Sequence, residues 1–287
     1  MQLSIQHQTR YRFSKPLTDV IQLLRLTPDS CTSQTVLDWR IDVDCDARLR
    51  EARDGYGNVT HTLYVNQPVT ELTITATGRV ITEDRAGVIQ GIMSDLPPQI
   101  FLRPTALTQP DAALAACAQE LVERAEAPLP TLHYLNNALH QRLAFDIAST
   151  DAGTTAAAAF ERGRGVCQDF AHIFIAVARA AGLPARYVSG HLFRCDGATD
   201  QNASHAWVEA YVADLGWVAF DPANGICAGD AYVRVATGLD YGEAAPIVGA
   251  RRGGGDEQMD VTVQVSQIAR RSQNQSQSQS QSGSGGS

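Results

Sequence analysis

The sequence predicts an α+β protein in which a small antiparallel β-sandwich domain precedes a core built of helices followed by strands. Three observations carry this reading. Short runs between Leu3 and Thr82 alternate apolar and polar residues with the period of a half-buried strand. Helical spacing of apolar residues then recurs between Asp111 and Ala181, and strand-like alternation returns from Ala185 to Phe220.

The N-terminal runs include Thr35 to Val43, Val59 to Val65 and Glu71 to Ile81. Their clearest punctuation is Asp54-Gly55-Tyr56-Gly57-Asn58, where both glycines and the Asn suit the positive φ of a tight hairpin, so Gly55 and Gly57 are read as structural. From Asp84 to Pro110 the chain carries Pro97, Pro98, Pro104 and Pro110, which remove backbone donors. The expected organisation is therefore a β domain over 1–83, a linker over 84–110 and a core over 111–265. Beyond it, 266–287 is rich in Gln, Ser, Asn and Gly and has nothing to bury, which predicts a disordered tail.

Composition narrows the function. A chain of 287 residues with net charge −8 has no diffuse basic field to attract phosphates, which argues against nucleic acid as a partner. No apolar run approaches the roughly 20 residues of a bilayer span, so no membrane association is expected. Met1 to Phe13 reads as a strand instead of a secretory leader, and the cytoplasm is the expected compartment. The six cysteines at 31, 45, 117, 167, 195 and 227 form no CxxC pair and read as reduced thiols, at most one of them reactive.

The helices come before the chemistry. Asp111 caps an Ala-rich stretch to about Ala127, and Thr131 to Ala144 places Leu132, Leu135, Leu139 and Leu143 on one face. His133 and His140 on that second helix carry no assigned function. A short helix, Thr155 to Glu161, leads to the glycines at 163 and 165. After them, Phe170, Phe174, Val177 and Ala181 make an apolar stripe, and Gly182 and Pro184 stop the helix. Cys167 thus begins a helix. Unpaired amides and the positive dipole end favour a thiolate there and can donate to an oxyanion, while Asp169 favours the helix start.

His172 points away from Cys167 around the same helix and is read as a packing residue. A base must come from elsewhere. In the strand Ser204 to Ala213, His205 shares a face with Trp207, Glu209 and Tyr211, and a third strand, Trp217 to Phe220, ends in Asp221-Pro222. Side chains in an antiparallel ladder meet only if the register allows it. An Ala213 to Gly216 pair would turn Asp221 to the side opposite His205. A three-residue loop, 213–215, would pair Val212 with Gly216 and bring Asp221 diagonal to His205, so an odd loop or a compensating bulge is expected.

Four runs, GVCQDFAH at 165–172, GLPARYVSG at 182–190, ASHAWVE at 203–209 and GWVAFDPANG at 216–225, resemble the bacterial transglutaminase-like cysteine peptidase family. RLTP at 25–28 and DGYGN at 54–58 are similar to the N-terminal domain of the same family. The resemblance implies a papain/transglutaminase-like catalytic core in which Cys167 is the nucleophile, His205 the base and Asp221 the orienting carboxylate. Trp207, His191 and Gln168 are the candidate substrate contacts. Relative to the family, His191 stands for a usual Tyr, Asn202 for a usual Asp and Ala223 for a usual Thr. No second oxyanion donor is visible, since no Trp nearer than Trp39 precedes Cys167.

The chemistry so implied is acyl transfer on peptide or isopeptide amides through a thioester, with a peptide or protein substrate and no cofactor. Hydrolysis is slightly favoured over amine cross-linking, because water is always at hand and no acceptor site is visible. The alternatives are a non-catalytic binding module on the same fold and, last, a zinc site drawing on Cys167, His205, His191 or Cys195. No close ligand pair supports zinc, and no acidic loop supports calcium. The first expected outcome is that a small alkylating agent at neutral pH labels Cys167 faster than any other thiol. Peptide mapping checks it, and equal labelling of Cys195 or Cys227 would refute it.

Overall fold

The computed structural model describes residues 1–124 and 127–268. Its first half is organised by one strand, β1 (Gln2–Leu24). Along β1 the buried residues are odd-numbered as far as Leu17 and then even at Val20 and Leu24. The parity changes because a bulge lies between Leu17 and Asp19, beside Pro16, which has no amide to give the ladder.

The bend gives β1 two sets of neighbours. Its first half pairs with β5 (Val69–Thr82), which also pairs with β2 (Gln34–Val43). Its second half pairs with β4 (Val59–Val65), which carries β3 (Arg48–Arg53) at its edge. The two layers close on a shared core of Tyr11, Phe13, Val20, Leu63 and Ile74. This is the antiparallel N-terminal region expected from the alternation.

The loop 54–58 does more than turn the chain. Asp54 accepts the amides of Tyr56 and Asn58, and the Asn58 side chain bonds both the carbonyl (2.7 Å) and the amide (2.8 Å) of Thr237 in the other half. Of its three turn-forming residues only Gly57 takes positive φ, at +84°.

The second half contains α1 (Ala112–Arg124), α2 (Pro128–Arg142), β7 (Ala144–Phe145), α3 (Ala156–Arg162), β8 (Arg164–Gly165) and α4 (Cys167–Ala180). Asp111 accepts the Leu114 amide, and Thr155 caps α3 through the Ala158 amide. Next come β9 (Ala185–Leu192), β10 (Asp200–Gln201), β11 (His205–Val212), β12 (Gly216–Asp221), β13 (Ile226–Cys227) and β14 (Tyr232–Gly238). The sheet order is β13-β12-β11-β9-β14, and α4 packs its Phe170 and Phe174 stripe on the face that carries Ala206, Val208 and Phe220.

Residues 84–110, expected as a linker, are part of this packing. Their β6 (Val88–Ile89) pairs with β12, and a 3-10 turn at Pro98–Leu102 buries Phe101 edge-on against Trp217 at 5.1 Å. The prolines do exclude regular structure, but Ile89, Ile100 and Phe101 between them gain by leaving water. Beneath Phe101 lies a buried ion cluster: Glu209 accepts from Arg186 at 2.7 Å and from Arg234 at 2.8 Å. The polar face of β11 therefore faces protein. Arg179, also buried, donates to the carbonyls of Phe101, Ala185 and Leu239 and fastens the same segment.

The chain end also departs from expectation. After a short α5 (Tyr241–Ala244), β15 (Ile247–Gly253) and β16 (Glu257–Gln267) pair with β1 instead of joining the core assigned to 111–265. Strand β1 leaves one edge open along both halves, and these two strands fill it. Since β16 runs to Gln267, the tail does not begin at 266; its remainder from 269 lies outside the described residues. Among the described residues no helix is long and apolar enough to cross a membrane.

The two loop glycines make a contrast that can be measured. A Cβ at Gly57 would lie 1.6 Å from the Met93 carbonyl oxygen, whereas nothing lies within 4 Å of one at Gly55. Gly57→Ala is expected to lower stability by about 2–4 kcal/mol. Gly55→Ala is expected to stay within about 1 kcal/mol of the parent, as urea unfolding of the two variants would report.

Candidate active site

The site starts with how α4 begins. Gly163 ends α3 in the left-handed region (φ 66°), and Gly165 pairs with Phe145. A Cβ at Gly165 would sit 2.5 Å from the Asp169 carboxylate, so a glycine lets that side chain fold back over the turn. Asp169 there accepts the Val166 amide at 2.8 Å and the Thr150 hydroxyl at 2.6 Å. Burial raises its carboxyl pKa, and these two bonds offset only part of the rise. Cys167 is the first residue of α4 and is half-buried. Among the described residues its amide and that of Gln168 have no intramolecular acceptor, as expected for the first turn of a helix.

The sheet then brings the histidine to that end. A tight turn at Gly182 (φ +79°) reverses the chain, so β9 runs back along α4 and its 190 end lies near Cys167. His205 pairs with Gly190 and so sits at the same end. The β11–β12 hairpin has the three-residue loop: Val212 pairs with Gly216, which takes φ +84°, and Val208 pairs with Phe220. Asp221 thus follows on the face of His205. His205 Nε2 lies 2.6 Å from Asp221 Oδ2, which leaves Nδ1 as the ring nitrogen free to meet the thiol.

Electrostatics couple the three groups. Burial lowers the His205 pKa, but the negative charge of a Cys167 thiolate and the hydrogen bond to Asp221 outweigh it and push the imidazole up to about 10. Burial would raise Asp221, yet its bond to His205 and those from Tyr232 and Asn224 hold the carboxyl below its usual value. Asp221 is fully buried and accepts five bonds: His205 Nε2, the Tyr232 hydroxyl (2.8 Å), the Asn224 side chain (2.7 Å), and the Ala223 and Asn224 amides.

The other candidates separate. Trp207 is buried, stacked on His205 at 6.1 Å and edge-on to Tyr232, so it forms a wall behind the imidazole instead of a surface for substrate. His191 is turned away: it neighbours Gly190, the partner of His205, and adjacent strand residues face opposite sides. It is buried between His7 and Trp39 of the N-terminal sheet, with burial lowering its pKa to about 3. Gln168 stays beside Cys167, its side-chain amide 3.3 Å from the Ala152 carbonyl. His172 is buried and accepts the Tyr241 amide, and His140 meets the Ala223 carbonyl at 3.1 Å. Cys195 is the exposed thiol and Cys167 is half-buried, so access alone does not favour Cys167 in labelling.

Sequence reasoning missed Tyr232, Asn224 and Thr150. Asn224 lay within the Asp221-Pro222-Ala223-Asn224 turn, where an Asn can reach back to a carboxylate. Nothing local marks Tyr232 or Thr150, each of which reaches its carboxylate through tertiary structure.

Comparison with known proteins bears on the family and the fold. The bacterial transglutaminase-like N-terminal region matches residues 3–81, and the core of the transglutaminase-like superfamily matches residues 115–222. An uncharacterized protein of Mycobacterium leprae is 31% identical over 279 residues, 93% of this chain and 99% of that protein. The chain belongs to the transglutaminase-like superfamily. A second relative, an uncharacterized protein of Mycobacterium tuberculosis, is 29% identical over 278 residues, 85% of this chain and 86% of that protein. Among solved structures, a candidate cysteine protease from Cytophaga hutchinsonii shares the transglutaminase-like fold with a TM-score of 0.76 at 22% identity, covering 94% of this chain and 92% of that one.

The raised imidazole has a consequence for stability. Its pKa rises from 6.5 to about 10 in the folded protein. The stability that protonation contributes is therefore present in full below pH 6.5 and lost as pH rises through about 10. Urea unfolding between pH 6 and 10 should show this decline in the parent and a flatter profile in His205→Gln.

Proposed function

We propose that this transglutaminase-like protein is a cysteine-nucleophile acyl-transfer enzyme acting on peptide or isopeptide amides through Cys167, His205 and Asp221. The observation that carries the reading is the buried His205–Asp221 pair, 2.6 Å apart, at the end of the sheet that meets the first residue of α4. In the proposed reaction the Cys167 thiolate attacks the amide carbonyl while the imidazolium of His205 waits with a proton. The amides of Cys167 and Gln168 are the donors available to the oxyanion. Collapse of the tetrahedral adduct passes the His205 proton to the departing amine and leaves a thioester on Cys167. Neutral His205 then takes a proton from the incoming water or amine, which attacks the thioester and expels the Cys167 thiolate, restoring the starting thiolate and imidazolium. Asp221, charged throughout, fixes the imidazole tautomer.

Hydrolysis is slightly favoured over cross-linking, since water needs no binding site. Gln168, next to the nucleophile, is proposed to contact the substrate. The six free thiols fit a reducing compartment, which makes the cytoplasm the proposed location.

Cys167→Ala and His205→Ala should each reduce turnover of peptide amides by about a thousandfold or more while leaving the far-ultraviolet spectrum intact. Mass spectrometry of the products, with and without a primary amine, separates free acid from the amine adduct. An active His205→Ala protein would refute the assignment, since His191 is turned to the other face of the sheet and cannot replace it.

A further inference from the structure

Three of the ten large apolar side chains exposed among the described residues border the proposed catalytic groups: Phe145 (58% exposed), Ile147 (80%) and Ile226 (52%). The other seven lie elsewhere, over the β domain, the helices α1 and α2 and the segment after β6, and two of them, Ile21 and Tyr64, pair directly across β1 and β4.

The position of these three is fixed by backbone pairing. Phe145 pairs in parallel with Gly165, two residues before Cys167, and the Asp146 amide donates to the Gly165 carbonyl at 2.9 Å. The Asp146 carboxylate then accepts the Ala148 amide at 3.0 Å, closing a tight turn with Ile147 at its tip. On the opposite side of the site, Ile226 pairs with Asp221 across β12 and β13. Directly paired residues share a face, so Ile226 lies on the face of Asp221 and His205.

Two well-anchored turns thus hold bulky apolar groups in water on either side of the nucleophile. Nothing in the folding of these turns requires Ile147 or Ile226, since a polar residue would leave every backbone bond in place.

We infer that the acyl donor is an amide whose residues next to the reacting carbonyl carry large aliphatic or aromatic side chains, with Ile147 and Phe145 as specificity-determining residues on one side and Ile226 on the other. This rests on the acyl-transfer reading. Charged side chains at those positions would lose hydration against the apolar side chains of Phe145, Ile147 and Ile226.

The test uses the full-length protein and internally quenched peptides with Leu, Phe, Asp or Lys placed in turn at the two positions flanking the cleaved bond. Leu and Phe peptides should exceed the Asp and Lys peptides in kcat/KM by about tenfold or more, the range one good apolar contact supplies. In Ile147→Ser the ratio should fall toward unity, Ile147→Leu should retain it, and Ile147→Asp should favour the Lys peptides. At 80% exposure, none of these changes at Ile147 disturbs the core. Equal rates for all peptides, or a ratio unchanged in Ile147→Ser, would overturn this inference alone. Failure to turn over any amide would overturn the acyl-transfer reading and this inference with it.

Discussion

A carboxylate without exposure to water has to stay ionised at Asp221, and much of the second half of the molecule is arranged around that requirement. A buried charge without partners costs several kcal/mol, more than one hydrogen bond returns. Asp221 meets the demand with donors from three places: His205 on β11, the turn at Ala223 and Asn224, and Tyr232 on β14. Because β14 reaches Asp221 across β9 and β11, the carboxylate ties the outer strand of the sheet to the inner ones. The same bonds fix the ring orientation of His205, with Trp207 stacked behind it.

The N-terminal sheet is bound to this core through polar contacts that mimic backbone. Asn58 completes a two-way bond with Thr237, and Gln34 does the same with the amide and carbonyl of Arg234. Arg234 in turn reaches Glu209 in the ion cluster beneath Phe101. Since β15 and β16 return to β1, the core lies between two stretches of chain that belong to one sheet. The loop at Gly57 packs closely against the Met93 carbonyl, where only a residue without a Cβ fits.

The apolar rim and the buried His205–Asp221 pair answer different demands. Inside, charges are paired and water is kept out, so electrostatic interactions are strong. At the rim, Phe145, Ile147 and Ile226 remain wet and gain only when something covers them. In the proposed reaction, selectivity would be set by what docks on this apolar border and not by the reacting bond.

Local pattern alone determined that a helix starts at Cys167, because Gly163 and Gly165 before it, the stripe from Phe170 to Val177 and the stop at Gly182 and Pro184 are all short-range signals. It also reduced the meeting of His205 and Asp221 to the parity of one loop, since side chains alternate and a ladder keeps register; the loop 213–215 has the odd length this requires. Only the tertiary structure decided which open edges were filled and which faces were covered. The returning strands β15 and β16, the packing of 84–110 over Trp217 and the burial of His191 between His7 and Trp39 each join residues far apart in the chain. Tyr232 gave no signal for the same reason: its hydroxyl matters only where β14 pairs with β9, and short-range periodicity encodes the element but not its neighbour.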